Sequence, residues 1–371
     1  MKKKILFLIP NLAHGGAERV LVNAVNNLNP QKYDVTVQTL FDVGVNRQYL
    51  LPHVHYIPGY KRQPRGTTAL MKIFPPRMLY KFWIKDEYDI LISYLEGPTS
   101  RIIAGCPDCA KKRIAWFHIE LNTPKQASVG FRSVAEAQKL YNSYDRLIAV
   151  ADSVKQRLLL SMPLKTPISV LYNTNETETI LEKAKKEPED SAFFKEGFRV
   201  CSVAKLMQTK GFDRLLNVHK RLIDEGIKHT VYILGVGEEE ENLRQKIKEY
   251  HAEDTFVLLG YKENPYQYVS RCDLYVCSSR REGFSTAVTE ALIVGTPVVS
   301  TNCSGAKELL GENNEYGLVV ENSEDGIYEG MKKMLSDPQM LIEYRRAAAE
   351  RGKYFRKEKT IQALEDMLEN L

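Results

Sequence analysis

Hydrophobic and polar positions along the first half of the chain follow the periods of strands and helices. Ile5–Ile9 is a continuous apolar run, whereas apolar side chains after Glu18 recur three and four positions apart. The predicted strands are Lys4–Ile9, Asp34–Leu40, His53–Ile57, Ile90–Tyr94, Arg113–Phe117 and Leu147–Val150, with a helix at Glu18–Leu28. Because strands alternate with helices, the pattern predicts a parallel sheet covered on both faces.

The same alternation begins again in the second half. A strand within Ile168–Asn173 is followed by a polar, charged stretch through Glu189, which predicts a domain boundary. The elements predicted beyond it are strand Arg199–Val203, helix Phe212–Glu225, strand Thr230–Leu234, helix Glu239–Tyr250, strand Thr255–Leu258, helix Asn264–Arg271 and strand Leu274–Cys277. We therefore predict two doubly wound α/β domains, residues 1–173 and 174–353, with an amphipathic helix in 354–371 that packs back on the first domain.

Residues 61–85 break this alternation, because bulky apolar side chains are interleaved with basic ones. Phe74 and Phe82, for example, stand among Lys72, Arg77 and Lys81. Such a composition is typical of segments that lie at an anionic membrane surface. A helix that packs on its own domain and exposes a solvated basic face explains the pattern equally well. No nucleic-acid partner is predicted, since no known binding motif accompanies the charge.

Composition narrows the class of protein. The 371 residues are 43% hydrophobic and 27% charged, as in globular proteins. The first apolar run is too short for a signal peptide, and none reaches the ~18 residues of a membrane span, so we expect a cytoplasmic protein. Cys106 and Cys109 form a lone CxxC pair, which does not predict a metal site. Cys201, Cys272 and Cys277 lie in apolar runs that predict buried thiols.

Charge is divided unevenly between the halves. Residues 1–172 carry 24 Lys and Arg against 12 Asp and Glu, a net charge of +12, whereas residues 173–371 carry 28 against 35, a net charge of −7. The basic first half is therefore the one expected to face anionic surfaces or ligands. If residues 61–85 bind lipid, the protein contacts the inner face of the cell membrane peripherally.

The densest candidate chemistry lies in Ser278–Ser300. A strand ends before it, Gly283 makes a turn, and a helix is predicted from about Ser285 to Val294 with Ser285 as its N-cap. The first N–H groups of a helix have no partner within it, and the helix dipole is positive at that end. The N–H groups of Phe284–Ala287 are therefore a predicted seat for a phosphate group.

Carboxylates and lysines accompany this predicted seat. Glu282 precedes the helix and Glu290 lies inside it, so each carboxylate could accept hydroxyl hydrogen bonds on one side of a diphosphate. The alternative is a surface helix with two solvated acids. Lys205 and Lys210 lie five apart on a loop after a strand, and two such cations suit a diphosphate better than a carboxylate.

Glycine turns follow several of the predicted strands. Gly235 and Gly237 follow one, Gly260-Tyr261 closes another and could flank a base, and Gly15-Gly16 joins the first strand to its helix. Because ligands collect at the carboxyl ends of parallel strands, turns at this edge could let the backbone approach a phosphate. His118, after the strand ending at Phe117, is predicted with equal weight to contact a substrate or to be a satisfied structural residue.

Taken in order, the motifs resemble those of a known family. Gly-Gly-Ala-Glu-Arg at 15–19, Lys205 with Lys210-Gly211, Gly235-x-Gly237 and Glu282 with Glu290 are similar to motifs of the retaining nucleotide-sugar glycosyltransferases of family 4. That family has the GT-B fold, with two Rossmann-like domains facing a central cleft. The resemblance spans nearly the whole chain. Its Gly-Gly-Ala-Glu-Arg opening is similar to that of bacterial enzymes that build capsule, O-antigen or exopolysaccharide.

The resemblance implies a role for each matching residue. Glu290 would accept from ribose hydroxyls and Glu282 from sugar hydroxyls, while His118 would contact the sugar. The diphosphate would be bound by Lys205, Lys210, Gly16 and the N–H groups of Phe284, Ser285 and Thr286. One departure stands out: the family usually has arginine where this chain has Lys205, and lysine lacks the bidentate fork.

The resemblance also implies the reaction. A hexose or N-acetylhexosamine would move, with retention, from a nucleoside-diphosphate sugar (UDP above all) to a hydroxyl of a glycan or polyprenyl-diphosphate-linked glycan. No cofactor and no metal are expected, since lysines would stabilise the leaving diphosphate. The alternatives are an epimerase or phosphorylase of the same fold, or a non-catalytic subunit that binds sugar nucleotides.

Overall fold

The chain divides into two compact units in the computed structural model, which describes residues 2–13, 15–62, 64–193 and 197–371. The first unit runs to Thr174 and includes Lys357–Leu371, and the second is Asn175–Arg356.

A seven-stranded parallel sheet forms the core of the first unit, as the alternating pattern predicts. Its strands are β1 (Lys3–Ile9), β2 (Tyr33–Thr39), β3 (Val54–Ile57), β4 (Ile90–Ser93), β5 (Lys112–Phe117), β6 (Arg146–Ala149) and β7 (Ile168–Val170). Their order is β3-β2-β1-β4-β5-β6-β7. The chain therefore winds outwards in both directions from β1, and the strand order reverses between β1 and β4, where open α/β sheets bind ligands.

Eight α-helices in the described part of the first unit accompany this sheet. They are α1 (Gly16–Asn27), α2 (Thr67–Ile73), α3 (Pro76–Trp83), α4 (Pro98–Ile103), α5 (Pro124–Ala127), α6 (Val134–Tyr141), α7 (Asp152–Ser161) and the C-terminal helix (Lys357–Glu369). The C-terminal helix packs on this unit through its Glu365 carboxylate, which accepts from the Asn29 N–H at 2.9 Å, and through an ion pair of Lys32 with Glu369 at 2.7 Å.

The irregular stretch predicted at residues 61–85 contains two short helices, α2 and α3. They are separated at Phe74-Pro75, where Phe74 has extended backbone because a residue before proline is disfavoured in helical conformation. Leu79 and Trp83 of α3, four residues apart, are buried, whereas Met78 and Phe82 are more than half exposed. A helix packed on its own domain is one of the two interpretations of this stretch, and the structure has two helices of about two turns each instead of one.

The second unit repeats the architecture with a six-stranded parallel sheet. Its strands are β8 (Phe198–Val203), β9 (His229–Leu234), β10 (Phe256–Gly260), β11 (Leu274–Cys277), β12 (Val298–Thr301) and β13 (Leu318–Val320). The order β10-β9-β8-β11-β12-β13 again winds outwards from the first strand of the unit. The predicted doubly wound α/β class is thus confirmed for both sheets.

Helices of the second unit are α8 (Thr177–Ala184), α9 (Phe212–Asp224), α10 (Glu240–Glu249), α11 (Tyr266–Val269), α12 (Thr286–Ile293), α13 (Ala306–Leu310), α14 (Glu324–Leu335) and α15 (Pro338–Gly352). The helix predicted at Asn264–Arg271 is shorter than expected, because α11 starts only after Pro265 and spans a single turn. Cys201, Cys272 and Cys277 are free and buried, as predicted. None of the helices in the described ranges is long and apolar enough to cross a membrane.

Candidate functional site

The predicted phosphate seat in the second unit is a helix start at the carboxyl edge of the sheet. Strand β11 ends at Cys277, and α12 begins at Thr286 with Ser285 as its N-cap, whose hydroxyl accepts from the Val288 N–H at 3.4 Å. The predicted cap is therefore confirmed. Its hydroxyl satisfies one first-turn N–H group, and the others remain the natural donors for an anion at this end of the helix.

Glu282, just before α12, contacts the loop after β8. Its Oε1 accepts from Lys210 Nζ at 2.6 Å and from the Ser279 hydroxyl at 2.6 Å. The Glu282 and Lys210 side chains are 15% and 24% exposed. Two residues 72 positions apart in sequence thus form an ion pair, because β8 and β11 are neighbours in the sheet.

Contacts with main-chain carbonyls bring the loop after β8 and the loop after β11 together. The Ser278 hydroxyl donates to the Lys210 carbonyl at 2.9 Å. Gly211 follows with φ +67, and a Cβ there would lie 2.2 Å from the Ser278 carbonyl oxygen. The glycine after Lys210 is therefore required both for its left-handed backbone and for the close approach of the Ser278 loop.

Arg280 is a residue of this site that the sequence analysis missed. Its guanidinium makes a bidentate pair with Asp213, with both bonds 2.7 Å long, and also donates to the Gln208 carbonyl at 2.7 Å. Its main-chain N–H donates to the Thr209 carbonyl at 2.7 Å. The side-chain bond to Arg280 lowers the pKa of Asp213, against the effect of burial. The adjacent arginines of the motif offered no signal, because only the fold places one of them beside Asp213.

The glycine turn after β9 borders the loop that carries Lys205. A Cβ on Gly235, whose φ is +146, would lie 1.9 Å from the Ala204 carbonyl oxygen. The Leu206 N–H donates to the Val236 carbonyl at 3.1 Å. Gly237 likewise packs against Leu206. Because these two positions have no Cβ, the loop that carries Lys205 can pack directly against the turn. Lys205 itself is exposed and has no ion pair within the described residues.

Glu290 lies inside α12, as predicted, and is linked to α11. The Tyr266 hydroxyl donates to Glu290 Oε1 at 3.1 Å. Tyr266 was not singled out in the sequence, because its place in the four-residue α11 gives it no periodic signal. Tyr261, the residue predicted beside a base, is 58% exposed just after β10. Within the described residues, no group of His, Cys, Asp and Glu side chains is arranged to hold a metal ion.

In the first unit, His118 is buried at the carboxyl end of β5. Its ring centroid lies 4.7 Å from that of Tyr94, and the main-chain N–H of His118 donates to Glu96 Oε2 at 3.0 Å. Burial lowers the pKa of His118 to about 3, against the raising effect of a hydrogen bond to the Tyr94 backbone. The imidazole is therefore neutral at pH 7. Its Nε2 atom is buried without a hydrogen-bond partner in the described part of the chain.

Gly15 and Gly16 lie at the start of α1, with Gly15 at the N-cap position. The Glu18 carboxylate folds over this end of the helix, since a Cβ on Gly15 would be 1.9 Å from Glu18 Oε2. A carboxylate at this position interacts favourably with the helix dipole. The helix start thus already carries one negative group.

Two family models together match most of the chain, one in each half. Residues 14–178 match the family model described as Glycosyltransferase Family 4. Residues 183–354 match the one described as Glycosyl transferases group 1. This chain belongs to the glycosyltransferases.

Two curated relatives of this glycosyltransferase are bacterial transferases that match nearly its whole length. One, from Campylobacter jejuni, is N-acetylgalactosamine-N,N'-diacetylbacillosaminyl-diphospho-undecaprenol 4-alpha-N-acetylgalactosaminyltransferase, which is 27% identical over 96% of this chain and 97% of its own length. Another is the amylovoran biosynthesis glycosyltransferase AmsD of Erwinia amylovora, 23% identical over 93% of both chains.

Solved structures share the fold of this glycosyltransferase. HepE of Anabaena in complex with UDP and glucose superposes with a TM-score of 0.80, at 19% identity and with full coverage of both chains. Sucrose-phosphate synthase of Thermosynechococcus elongatus superposes with a TM-score of 0.79, at 14% identity, over 100% of this chain and 99% of its own. Together with the two parallel sheets, these matches establish the predicted GT-B fold.

Proposed function

We propose that this glycosyltransferase moves a hexose or N-acetylhexosamine from a UDP-sugar to a hydroxyl of a glycan or lipid-linked glycan, with retention of the donor's α-linkage. The observation that carries the proposal is the Lys210–Glu282 pair beside the start of α12. At this place, the Lys210 ammonium group and the N–H groups of the helix can bind a diphosphate, and the Glu282 carboxylate can accept hydrogen bonds from sugar hydroxyls. The UDP named with the structural neighbour HepE supports the choice of nucleotide.

In the proposed reaction, the acceptor oxygen forms a bond to the donor's anomeric carbon as the bond from that carbon to the diphosphate oxygen breaks. The acceptor's proton passes to the leaving β-phosphate. Lys210, Lys205 and the first N–H groups of α12 stabilise the negative charge that develops on this diphosphate. Lysines therefore supply the charge stabilisation in the proposal, without a metal ion or cofactor.

The remaining candidate residues hold the donor in the proposal. Glu290, oriented by Tyr266, accepts from ribose hydroxyls, and Tyr261 flanks the base. Gly15 and Gly16 contact the diphosphate in the proposal, which requires the Glu18 carboxylate to move away from the start of α1. His118 hydrogen-bonds a sugar hydroxyl; because its pKa is lowered to about 3, the imidazole acts as a neutral hydrogen-bonding group and not as an acid at pH 7.

We also propose that the acceptor is lipid-linked and that the first unit contacts an anionic membrane. The name of the Campylobacter relative includes a diphospho-undecaprenol acceptor. On α2, α3 and the preceding loop, six large apolar side chains are at least 40% exposed among lysines and arginines: Tyr60, Leu70, Ile73, Phe74, Met78 and Phe82. We call these six residues the apolar face. Such a face with basic neighbours fits the interface of an anionic bilayer.

Two arginines bind the end of α2, which carries part of the apolar face. Arg101 is buried, pairs with Glu136 through two bonds of 3.0 and 3.1 Å, and donates to the Met71 carbonyl at 2.9 Å. Arg132 donates to the carbonyls of Lys72 and Ile73. The C-terminal carbonyls of α2 are thus capped by two guanidinium groups, which keeps the exposed side chains of α2 in place.

A transfer assay tests the proposed reaction. Purified protein is incubated with a panel of UDP-sugars and a polyprenyl-diphosphate-linked glycan, and release of UDP and the anomeric configuration of the product are measured. Acceptor-dependent release of UDP and an α-linked product are expected, with loss of both in Glu282→Ala. Isomerised donor without UDP release would identify an epimerase, and UDP binding without any turnover would identify a non-catalytic subunit.

Co-sedimentation with vesicles tests the membrane contact. Binding should rise with the fraction of anionic lipid and fall at high salt, because the lysines and arginines provide much of the attraction. Phe82→Ser should weaken binding, whereas Leu160→Ser, which removes an 80% exposed leucine from α7, should not. Equal binding to anionic and neutral vesicles would contradict the proposal.

A further inference from the structure

The two oxygens of the Glu282 carboxylate have different surroundings. Oε1 accepts from both Lys210 Nζ and the Ser279 hydroxyl, each at 2.6 Å. Oε2 accepts no hydrogen bond from the residues that the structure describes. A carboxylate has about four acceptor sites on its two oxygens, and Glu282 uses only the oxygen that faces the lysine and the serine.

The Ser279 hydroxyl has a defined direction because its surroundings are fixed. Ser279 is 3% exposed, and its carbonyl accepts from the Thr301 hydroxyl at 2.6 Å and the Cys303 thiol at 3.1 Å. Its hydroxyl oxygen lies 3.6 Å from the Cys277 sulfur, whose thiol donates to it. A carboxylate has no proton to give, so the hydroxyl must donate to Glu282.

Lys210 and Ser279 differ in what they can do when a ligand binds. The lysine carries a full charge on a flexible side chain, so an anionic diphosphate competes with Glu282 for it. The serine is neutral, short and buried, so it stays on Oε1 when the ammonium group turns to the phosphate. We propose that Ser279 is the positioning residue that holds Glu282 with Oε2 directed to the donor's sugar. This inference rests on the proposed function.

If Ser279 positions Glu282, its hydroxyl should matter for recognition of the donor's sugar and not for recognition of the nucleotide. Loss of a hydrogen bond to a charged group lowers an equilibrium or rate constant by roughly 10-fold to 100-fold. Because the proposed role of Glu282 is to bind the sugar, the loss of the Ser279 hydroxyl should affect the sugar donor and leave the affinity for UDP alone within about twofold. A merely structural serine would change both or neither.

The experiment compares Ser279→Ala, Ser279→Thr and the control Ser270→Ala. Ser270 is a partly buried serine of the same unit whose hydroxyl donates to the Ala184 carbonyl at 3.1 Å, outside the candidate site. For each protein, kcat and KM are measured with the UDP-sugar that the wild type uses, and the Kd for UDP is measured by calorimetry. A donor lacking single sugar hydroxyls is then compared with the complete one.

Ser279→Ala is expected to lower kcat/KM about 10-fold to 100-fold with an unchanged Kd for UDP, and to discriminate less between deoxy and complete donors. Ser279→Thr, which keeps the hydroxyl, should recover most of the activity, and Ser270→Ala should match the wild type. Unchanged kcat/KM in Ser279→Ala, or a parallel loss of UDP affinity, would overturn the inference while the proposed function stands. A wild type that uses no UDP-sugar would overturn both. If Ser279→Ala does not fold, Ser279→Cys is measured in the same way, since a thiol nearly keeps the size of the side chain but is a weaker donor; a lowered kcat/KM with an unchanged Kd for UDP is expected, and an unchanged kcat/KM would overturn the inference.

Discussion

Lowering the pH from 7 to 5 should destabilise the second unit through a buried pair of histidines. His219 on α9 and His229 at the start of β9 are 0% and 2% exposed, and their ring nitrogens Nδ1 and Nε2 lie 2.9 Å apart. His229 Nδ1 must donate to the Ile227 carbonyl at 2.8 Å, so its Nε2 accepts from His219. His219 Nε2 then accepts from the Thr255 hydroxyl at 2.9 Å. A proton added to His219 Nε2 would have to be accepted by the Thr255 oxygen, and the Thr255 hydroxyl would then have to donate to the Ala252 carbonyl at 3.5 Å, the limit of a hydrogen bond.

The size of the effect follows from the pKa of His219. Burial above all lowers this pKa to about 3 from the ordinary value near 6.5; repulsion by His229, once it is protonated, and by Lys220 contributes less. Below pH 6.5 the unfolded chain therefore binds a proton that the folded unit refuses, and the free energy of unfolding falls by about 1.4 kcal/mol per pH unit. Between pH 7 and 5 the loss is about 2 kcal/mol. His229, whose pKa burial also lowers, adds to it.

Urea unfolding at several pH values measures this loss. Both tryptophans, Trp83 and Trp116, lie in the first unit, so their fluorescence does not report on the second, which is followed by hydrogen exchange of β8 and β9. His219→Gln should flatten the dependence between pH 6.5 and 5, whereas a control at the exposed His55, His55→Gln, should not. A change below about 0.5 kcal/mol in the wild type, or the full loss retained in His219→Gln, would refute the reasoning. Carboxylates such as Asp213, whose pKa is lowered in the folded state, lose their stabilisation only nearer pH 4.

Three further predictions concern the candidate site. Lys210→Ala should lower kcat about 100-fold or more, because the Lys210 ammonium group is held beside Glu282. Lys205→Ala should lower kcat less, because Lys205 is exposed. Equal losses of kcat in steady-state kinetics would contradict this difference. Gly235→Ala should lower the free energy of unfolding in urea by about 2 kcal/mol or more, since its Cβ would lie 1.9 Å from a carbonyl oxygen. Gly260→Ala, with φ +70 and open space around it, should lower it by only about 1 kcal/mol. Similar losses in the two variants would show that backbone strain alone matters. Dialysis against EDTA should leave the transfer rate within about twofold of the untreated enzyme, because lysines carry the proposed charge stabilisation; activity restored only by added Mg²⁺ would contradict that mechanism.

Much of the fold follows from local patterns. Apolar runs such as Ile5–Ile9 and amphipathic stretches such as α9 identify strands and helices, because a strand or helix buries a face that its own period defines. Short elements escape this reasoning. β13 has three residues and α11 has four, so each contains little more than one period, which is too short to distinguish a strand from a helix.

In the candidate site, too, features that depend on neighbouring residues were predicted from the sequence, whereas contacts between distant residues were not. The sequence alone determined that a helix begins after Gly283 with Ser285 as its cap, because capping depends on neighbouring residues. It also determined that acids and lysines follow strand ends, and hence that they share an edge of a parallel sheet. These are consequences of chain order and of the rule that parallel strands point the same way.

Only the tertiary structure decided which of these groups touch. Lys210 meets Glu282 while Arg280, two residues before that glutamate, turns to Asp213. Contacts between residues some 70 positions apart depend on which strands are neighbours and on how the loops after those strands pack. A sequence pattern also cannot tell which of several side chains of the same charge makes a given contact. The burial of His118, which lowers its pKa, was likewise visible only in the structure, because desolvation depends on the surrounding packing and not on the residues adjacent in the chain.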